Sequence, residues 1–120
     1  MKLAVSSIGK DLEAKIDPRF GRAPYFIMVD SETLLYEVVN NSQSLNLPQG
    51  AGIQAGQTIV NNNVDVLITG NCGLKAFQVL QSAGIEIVTG ASGSVKDAVL
   101  QYKDGKLKPA ENPNVEGHWV

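Results

Sequence analysis

Short apolar runs bounded by turn-forming residues predict a five-stranded sheet. The second and third runs are separated only by residues 31–33, which allow an antiparallel hairpin and nothing longer. Residues 70–84 separate the fourth and fifth runs and have the length of a crossover helix, so these two strands should pair in parallel. The runs are KLAVSS (2–7), YFIMVD (25–30), LLYEVV (34–39), VDVLIT (64–69) and IEIVT (85–89).

Helical spacing of apolar residues predicts three helices that cover this sheet. The first spans residues 52–62, and the second carries an apolar stripe from Leu74 to a glycine stop at Gly84. The third begins at Ser94, which forms a capping-box pair with Asp97. The element order β-β-β-α-β-α-β-α predicts an α/β fold with one mixed sheet.

The chain after the third helix has weaker signals. We expect residues 106–108 to add a short edge strand after a turn at Asp104 and Gly105. We expect residues 109–120 to form a loosely attached C-terminal tail. The single domain that holds the sheet and its helices therefore spans residues 1–108.

Composition and charge narrow the function classes. The 120 residues are 43% hydrophobic and 18% charged, as in one globular domain rather than a disordered chain. A formal net charge of −2 argues against nucleic-acid binding, and no apolar run approaches the ~20 residues of a membrane span. The N-terminal sequence lacks a signal-peptide pattern, and the single cysteine fits a reducing compartment. We therefore expect a cytoplasmic protein with neither nucleic-acid nor membrane partners.

Three glycine-containing loops, at residues 48–52, 69–73 and 89–93, precede the predicted helices. The last two share the pattern Thr-Gly-X-X-Gly, and neither matches a P-loop. Glycine lets a ligand approach the backbone closely, and N–H groups at a helix start bind anions, so two such loops side by side predict an anion cradle. The alternative is that strand-to-helix turns simply require glycine. The candidate binding residues here are Gly70, Asn71, Gly73, Gly90, Ser92 and Gly93.

Positively charged side chains should lie near the same edge of the sheet. The only two arginines, Arg19 and Arg22, belong to one loop between the first and second strands. A guanidinium group suits anions with several acceptors, and Lys75 adds a charge at the start of the second helix. The alternative is that these are ordinary solvated surface charges.

Cys72, the only cysteine, lies at a helix N-terminus, a setting that lowers the pKa of a thiol. Its thiolate would be a nucleophile or a ligand for a soft metal; the alternative is a buried small apolar residue. The only histidine, His118, lies in the predicted tail, so a Cys–His pair requires that tail to fold back, and the two residues cannot complete a zinc site. Attachment of a preassembled sulfide cluster by one thiolate remains open. The carboxylates form no pair suited to acid–base catalysis, so we do not expect an enzyme.

Four segments together resemble the dinitrogenase iron–molybdenum cofactor-binding family, over residues 1–108. The resemblance implies a ribonuclease H-like three-layer α/β/α fold with strand order 3-2-1-4-5 and strand 2 antiparallel. It also implies a protein that carries or stores a metal–sulfur cluster of the Fe–Mo–S or Mo–Cu–S type, or its precursor, and that exchanges it with a cluster-assembly or recipient protein. The segments are RFGRAPYF (19–26), GAGIQAGQTI (50–59), VDVLITGNCGLKAFQVLQSAGI (64–85) and TGASGSVKDAVLQY (89–102).

By position, the resemblance places Arg19, Phe20, Gly21 and Arg22, together with residues 70–73, around the cluster. Family members often have histidine where this chain has Arg19, and many have a histidine-rich tail where this chain has only His118. Both differences favour electrostatic retention of an anion, with Cys72 as a possible covalent anchor. The competing hypotheses are a metal-free nucleotide- or phosphate-binding regulatory module and an interaction module without a ligand.

Overall fold

The computed structural model describes residues 1–45 and 47–114, and within them five strands form one mixed sheet in the order β3-β2-β1-β4-β5. The central strand β1 pairs antiparallel with β2 and parallel with β4; β3 is antiparallel to β2, and β5 is parallel to β4. This confirms the predicted order and directions, although β4 is shorter than its apolar run. The strands are β1 Lys2–Ser7, β2 Tyr25–Asp30, β3 Tyr36–Asn40, β4 Val66–Ile68 and β5 Glu86–Val88.

The three predicted helices are present as α2 Ala51–Asn61, α3 Leu74–Ser82 and α4 Val95–Lys103. A further short helix, α1 Ser42–Leu45, was not predicted. Gly84 follows α3 with a φ of 78°, a left-handed conformation that glycine adopts without a Cβ penalty.

Alternation of side chains along the strands divides the core into two apolar layers. One layer joins Phe26 and Leu67 to the buried faces of α2 and α3. The other joins Val5 and Ile68 to the buried face of α4. The result is the predicted three-layer α/β/α arrangement, with the sheet in the middle.

The predicted edge strand at residues 106–108 is wrong, since this segment of the described chain contains no strand. The Lys106 N–H donates instead to the Gln101 carbonyl (2.9 Å) and the Gly105 N–H to that of Tyr102 (3.1 Å), which closes the C-terminus of α4 in a Schellman arrangement. The backbone donor that a strand would need is therefore already used. Within the described ranges, no helix is long and apolar enough to cross a membrane.

Candidate functional site

The loops that follow β1, β4 and β5 meet at one edge of the sheet, because parallel strands end on the same side. We name three of their segments: the RFGR loop (19–22), the GNCG loop (70–73) and the GASG loop (90–93). Ser6, at the end of β1, fixes this edge with two buried hydrogen bonds. Its Oγ lies 2.8 Å from Thr69 Oγ1 and donates to the Asp17 carbonyl at 2.7 Å.

The RFGR and GNCG loops lie side by side, joined by a parallel bridge between Arg19 and Asn71. The Asn71 N–H donates to the Pro18 carbonyl at 2.7 Å, and the Phe20 N–H donates to the Asn71 carbonyl at 3.3 Å. A Cβ on Gly70 would lie 2.7 Å from Pro18 Cα, so only glycine allows the two backbones to approach this closely. The structure therefore brings together Arg19 and the GNCG loop, as the sequence predicted.

Arg19 is oriented by Asp17, a residue that sequence reasoning missed. Asp17 is buried, and its two carboxylate oxygens accept from Nε and Nη2 of Arg19, both at 3.3 Å, while Oδ1 also accepts from the Arg19 N–H at 2.9 Å. The Arg19 side chain itself is 56% exposed. An aspartate that accepts a hydrogen bond from the N–H two residues later forms an Asx turn. The Asp-Pro-Arg sequence could have indicated this pair.

Arg22 makes a hydrogen bond outside the GNCG loop. Its Nη1 donates to the Leu47 carbonyl at 2.5 Å, in the connection between α1 and α2. The neighbouring carbonyls of Gly21 and Ala23 accept from the buried Asn41 Nδ2 at 3.3 and 2.8 Å. This hydrogen bond ties the RFGR loop to the chain before α2, and the expectation that both arginines face one site stays a prediction.

Phe20 is a core residue rather than a wall of the site. It is fully buried, and its ring centroid lies 5.3 Å from that of Phe26 at an angle of 37°. Gly21 beside it is also buried. Phe20 therefore anchors the RFGR loop to the core, and its buried ring does not line the surface at this edge. That the RFGR loop lines a ligand site stays a prediction.

Cys72 points into the core. Its side chain is fully buried in the apolar cluster that contains Phe20 and Phe77. Burial raises the pKa of the Cys72 thiol from 9.0 to about 12. The expectation of a lowered pKa is therefore wrong, because the low-dielectric surroundings of the thiol outweigh the helix N-terminus. The thiol is protonated at neutral pH and does not face solvent as a ligand.

The backbone of the same residue is held by Asn114, which no sequence motif indicated. The Cys72 N–H donates to Asn114 Oδ1 at 2.8 Å, and the Asn114 N–H donates back to the Cys72 carbonyl at 3.2 Å. Asn114 Nδ2 donates to the Gly70 carbonyl (3.1 Å) and to Asn71 Oδ1 (3.2 Å). The expectation of a loosely attached tail therefore does not hold for residues 109–114. The domain limit at residue 108 stays a prediction.

The GNCG loop leads into an open helix N-terminus. Gly73 is the N-cap of α3 in extended conformation, and within the described part of the chain no side chain caps this helix. Its first turn contains no acidic residue and carries exposed Lys75. Uncapped N–H groups and the positive end of the helix dipole favour an anion here.

The GASG loop leads into a closed helix N-terminus. Ser94 Oγ accepts from the Asp97 N–H at 3.0 Å, and Asp97 Oδ2 accepts from the Ser94 N–H at 3.3 Å. The capping carboxylate already occupies the start of α4 with negative charge. The structure brings the Gly90 N–H to the Gly70 carbonyl (2.8 Å), but Ser92 and Gly93 flank a helix start that is satisfied internally.

Protein ligands for a metal ion are not clustered here. In residues 1–45 and 47–114, no group of three or more His, Cys, Asp or Glu side chains could hold one. His118, the remaining candidate ligand, lies outside the described residues.

Comparisons with known proteins agree with this fold. The dinitrogenase iron–molybdenum cofactor family profile matches residues 1–105. The apo form of the orange protein from Desulfovibrio gigas is 42% identical, with a TM-score of 0.93 over 95% of this chain and 96% of that one. The NMR structure of a candidate NifB protein from Thermotoga is 34% identical, with a TM-score of 0.82 over 97% and 98% of the two chains. A relative from Methanocaldococcus jannaschii is 28% identical over 100 residues, 81% of this chain and 84% of its own. This chain belongs to the dinitrogenase iron–molybdenum cofactor family.

Proposed function

We propose that this chain is a non-catalytic carrier or storage protein for an anionic metal–sulfur cluster of the Fe–Mo–S or Mo–Cu–S type, or for its precursor. The observation that carries the proposal is the open N-terminus of α3, which continues the GNCG loop beside exposed Arg19 and carries exposed Lys75. Family membership and the likeness to an orange protein support a cargo of this class.

The residues at this edge fit a cluster that brings its own sulfide ligands. The described chain offers no cage of metal-binding side chains, and the Cys72 thiol is buried with a raised pKa. Backbone N–H groups and cationic side chains instead stabilise negative charge on sulfide through charge-assisted hydrogen bonds. The proposal therefore rests on charge and backbone donors, and Cys72 takes no part in it as a ligand.

Arg19 and Lys75 have different roles in this arrangement. Asp17 holds the Arg19 guanidinium by two of its five N–H donors and leaves the group exposed towards solvent. Lys75 is a compact charge in the first turn of α3, where it adds to the helix dipole. Arg19 would donate directional hydrogen bonds to the anion, and Lys75 would add positive electrostatic potential at the start of α3.

Phosphate is the competing ligand, since the same donors would bind a phosphate group or a nucleotide without metal. Ligand chemistry decides between these two functions, because a sulfide cluster absorbs visible light and a nucleotide does not.

The exchange partner, a cluster-assembly or recipient protein, and a cytoplasmic location also stay predictions.

The test is a visible spectrum with Fe, Mo and Cu analysis of the untagged protein, purified anaerobically from its native host. We expect a visible band with stoichiometric metal that persists in Cys72→Ser. The double variant Arg19→Gln/Lys75→Gln should lose most of the band, whereas Lys96→Gln, at the matching position of α4, should keep it. Substoichiometric metal without a visible band would contradict the proposal, and bound phosphate or nucleotide in its place would establish the competing function.

A further inference from the structure

Residues 109–114, which we name the C-terminal strap, are attached to the domain at two points. The Ala110 N–H donates to the Ile87 carbonyl of β5 at 2.6 Å, and the partly buried Ala110 side chain packs against the core layer of α2 and α3. At its other end, Asn114 makes the four hydrogen bonds to the GNCG loop described above. The strap thus runs from the outer edge of β5 to the candidate site.

Asn114 accepts a backbone hydrogen bond at the candidate site, as a bound anion would. Its Oδ1 accepts from the Cys72 N–H at 2.8 Å, and this N–H is a backbone donor of the loop that opens α3. A sulfide or an oxyanion oxygen is also an acceptor and would compete for the same N–H. Because one N–H makes one strong hydrogen bond, an anion cannot use this donor while Asn114 Oδ1 holds it.

The other half of the carboxamide strengthens this conclusion. Asn114 Nδ2 donates to the Gly70 carbonyl and to Asn71 Oδ1, at 3.1 and 3.2 Å. An anion carries no donor and cannot replace these two bonds. A carboxamide that leaves the Cys72 N–H to an anion therefore gives up these two hydrogen bonds as well, which opposes loading.

We propose that Asn114 is a displaceable occupant of the GNCG loop, which competes with the anionic ligand for the Cys72 N–H and so determines the affinity of the site. This inference rests on the proposed function, since it assumes that an anion binds at this loop. Its consequence is that loading displaces Asn114, loosens the strap and weakens the bond between Ala110 and Ile87. The exposed position of Asn114 makes this displacement possible without opening the core.

The experiment titrates tetrathiomolybdate, an anionic molybdenum sulfide, anaerobically into ¹⁵N-labelled full-length protein and follows the amide resonances. Asn114→Ala should bind about fivefold more tightly than wild type, the factor that corresponds to one net hydrogen bond. Asn112→Ala, a substitution at an exposed residue of the same strap, should leave the affinity unchanged. In wild type, saturation should speed hydrogen exchange at the Ala110 amide.

Two further measurements separate the possible failures. Without ligand, the Cys72 amide should exchange more slowly in wild type than in Asn114→Ala; equal rates would overturn the inference, because the contact would be absent in solution. Ala110→Pro removes the strap's other backbone donor and should also tighten binding. Equal or weaker binding by Asn114→Ala, with wild type still binding at the GNCG loop, would overturn the inference and leave the proposed function standing. Absence of binding in wild type and in Asn114→Ala alike would instead overturn the proposed site, and the inference with it.

Discussion

The loops at residues 69–73 and 89–93 share the pattern Thr-Gly-X-X-Gly, yet they turn different side chains towards the core. In the first loop the fourth residue, Cys72, is fully buried, whereas its counterpart Ser92 is exposed. In the second loop the third residue, Ala91, is buried, whereas its counterpart Asn71 is partly exposed. The inward position is therefore shifted by one residue between two loops that look alike in sequence.

The glycines of the two loops meet different requirements, and this accounts for the shift. Gly90 and Gly93 have φ angles of 78° and 88°, which turn the chain in a way that other residues rarely adopt. Gly73 has an ordinary φ of −79°, and Gly70 is required by its contact with Pro18. A shared glycine pattern therefore does not imply a shared backbone path.

The helices that follow the two loops differ in how their first turns are capped. The start of α4 is occupied by its own capping box, with the negative charge of Asp97, whereas α3 begins without a side-chain cap in the described chain and with Lys75 in its first turn. We therefore expect an anion at the first loop rather than at the second, although both contain the same glycines. Experiments that treat the two loops identically can break or sharpen this comparison.

The largest expected difference is in thiol reactivity. Because its pKa is about 12 and its side chain is buried, Cys72 should react with iodoacetamide about a thousandfold more slowly than an exposed cysteine. A cysteine at the counterpart position, made as Ser92→Cys in a Cys72→Ser background, should react at the ordinary rate. Mass spectrometry of the alkylated protein over time measures both rates. Similar rates would show that the thiol of Cys72 is accessible in solution.

The next difference is in the stability cost of a methyl group at the second loop position. Gly70→Ala should lower the free energy of unfolding by about 3 kcal/mol, because the new Cβ would lie 2.7 Å from the Pro18 backbone. Gly90→Ala has open space around its Cβ and should lose only about 1 kcal/mol, from its left-handed φ of 78°. Urea denaturation measures the two values. Equal losses would indicate that Pro18 does not pack on Gly70 as described.

Periodic features of the fold could be predicted from the sequence because each strand or helix signals itself locally. The alternation in β1, the crossover length of residues 70–84 and the Ser94–Asp97 capping box are confirmed. The edge strand at residues 106–108 was wrong, because the choice between a strand and a helix C-cap depends on bonds to α4.

The site was predictable only where topology alone determines proximity. Parallel strand ends bring the loops to one edge, so the approach of Arg19 to the GNCG loop could be predicted. The inward direction of Cys72 depends on loop dihedral angles, which have no periodicity to reveal them. The contact of Asn114 joins residues 42 positions apart, and nothing near either residue indicates it.

A smaller effect is a dependence of the free energy of unfolding on pH, which arises because the Cys72 thiol is buried. The folded pKa of Cys72, about 12, exceeds the ordinary value of 9.0, so the unfolded chain loses its thiol proton first as pH rises. The contribution is complete below pH 9 and is lost between pH 9 and 12, by about 1 kcal/mol at pH 10. Cys72→Ala should lack this loss when unfolding is measured at about pH 8 and about pH 10.

The pH comparison needs the variant because Tyr102 titrates in the same direction. Burial and the hydrogen bond to Glu86 raise the pKa of Tyr102 to about 12. The folded protein therefore also loses stability above pH 10 through Tyr102. That loss is common to wild type and to Cys72→Ala and cancels in their difference. If the two proteins depend on pH identically between pH 8 and 10, the thiol is not desolvated in the folded chain.

The smallest effect compares two lysines that occupy the second position of their helices, Lys75 in α3 and Lys96 in α4. Both are exposed, so neither substitution to glutamine should change the stability measurably. Lys75→Gln should weaken tetrathiomolybdate binding by about threefold, since one cation near a helix N-terminus contributes a fraction of a kcal/mol to holding an anion. Lys96→Gln should leave binding unchanged, because Asp97 already neutralises the start of α4. Titration at low and at high salt sharpens the comparison, since the Lys75 effect should shrink as ions screen it. Equal effects of the two substitutions would mean that the anion senses only overall charge, and the distinction between an open and a closed helix start would then fail.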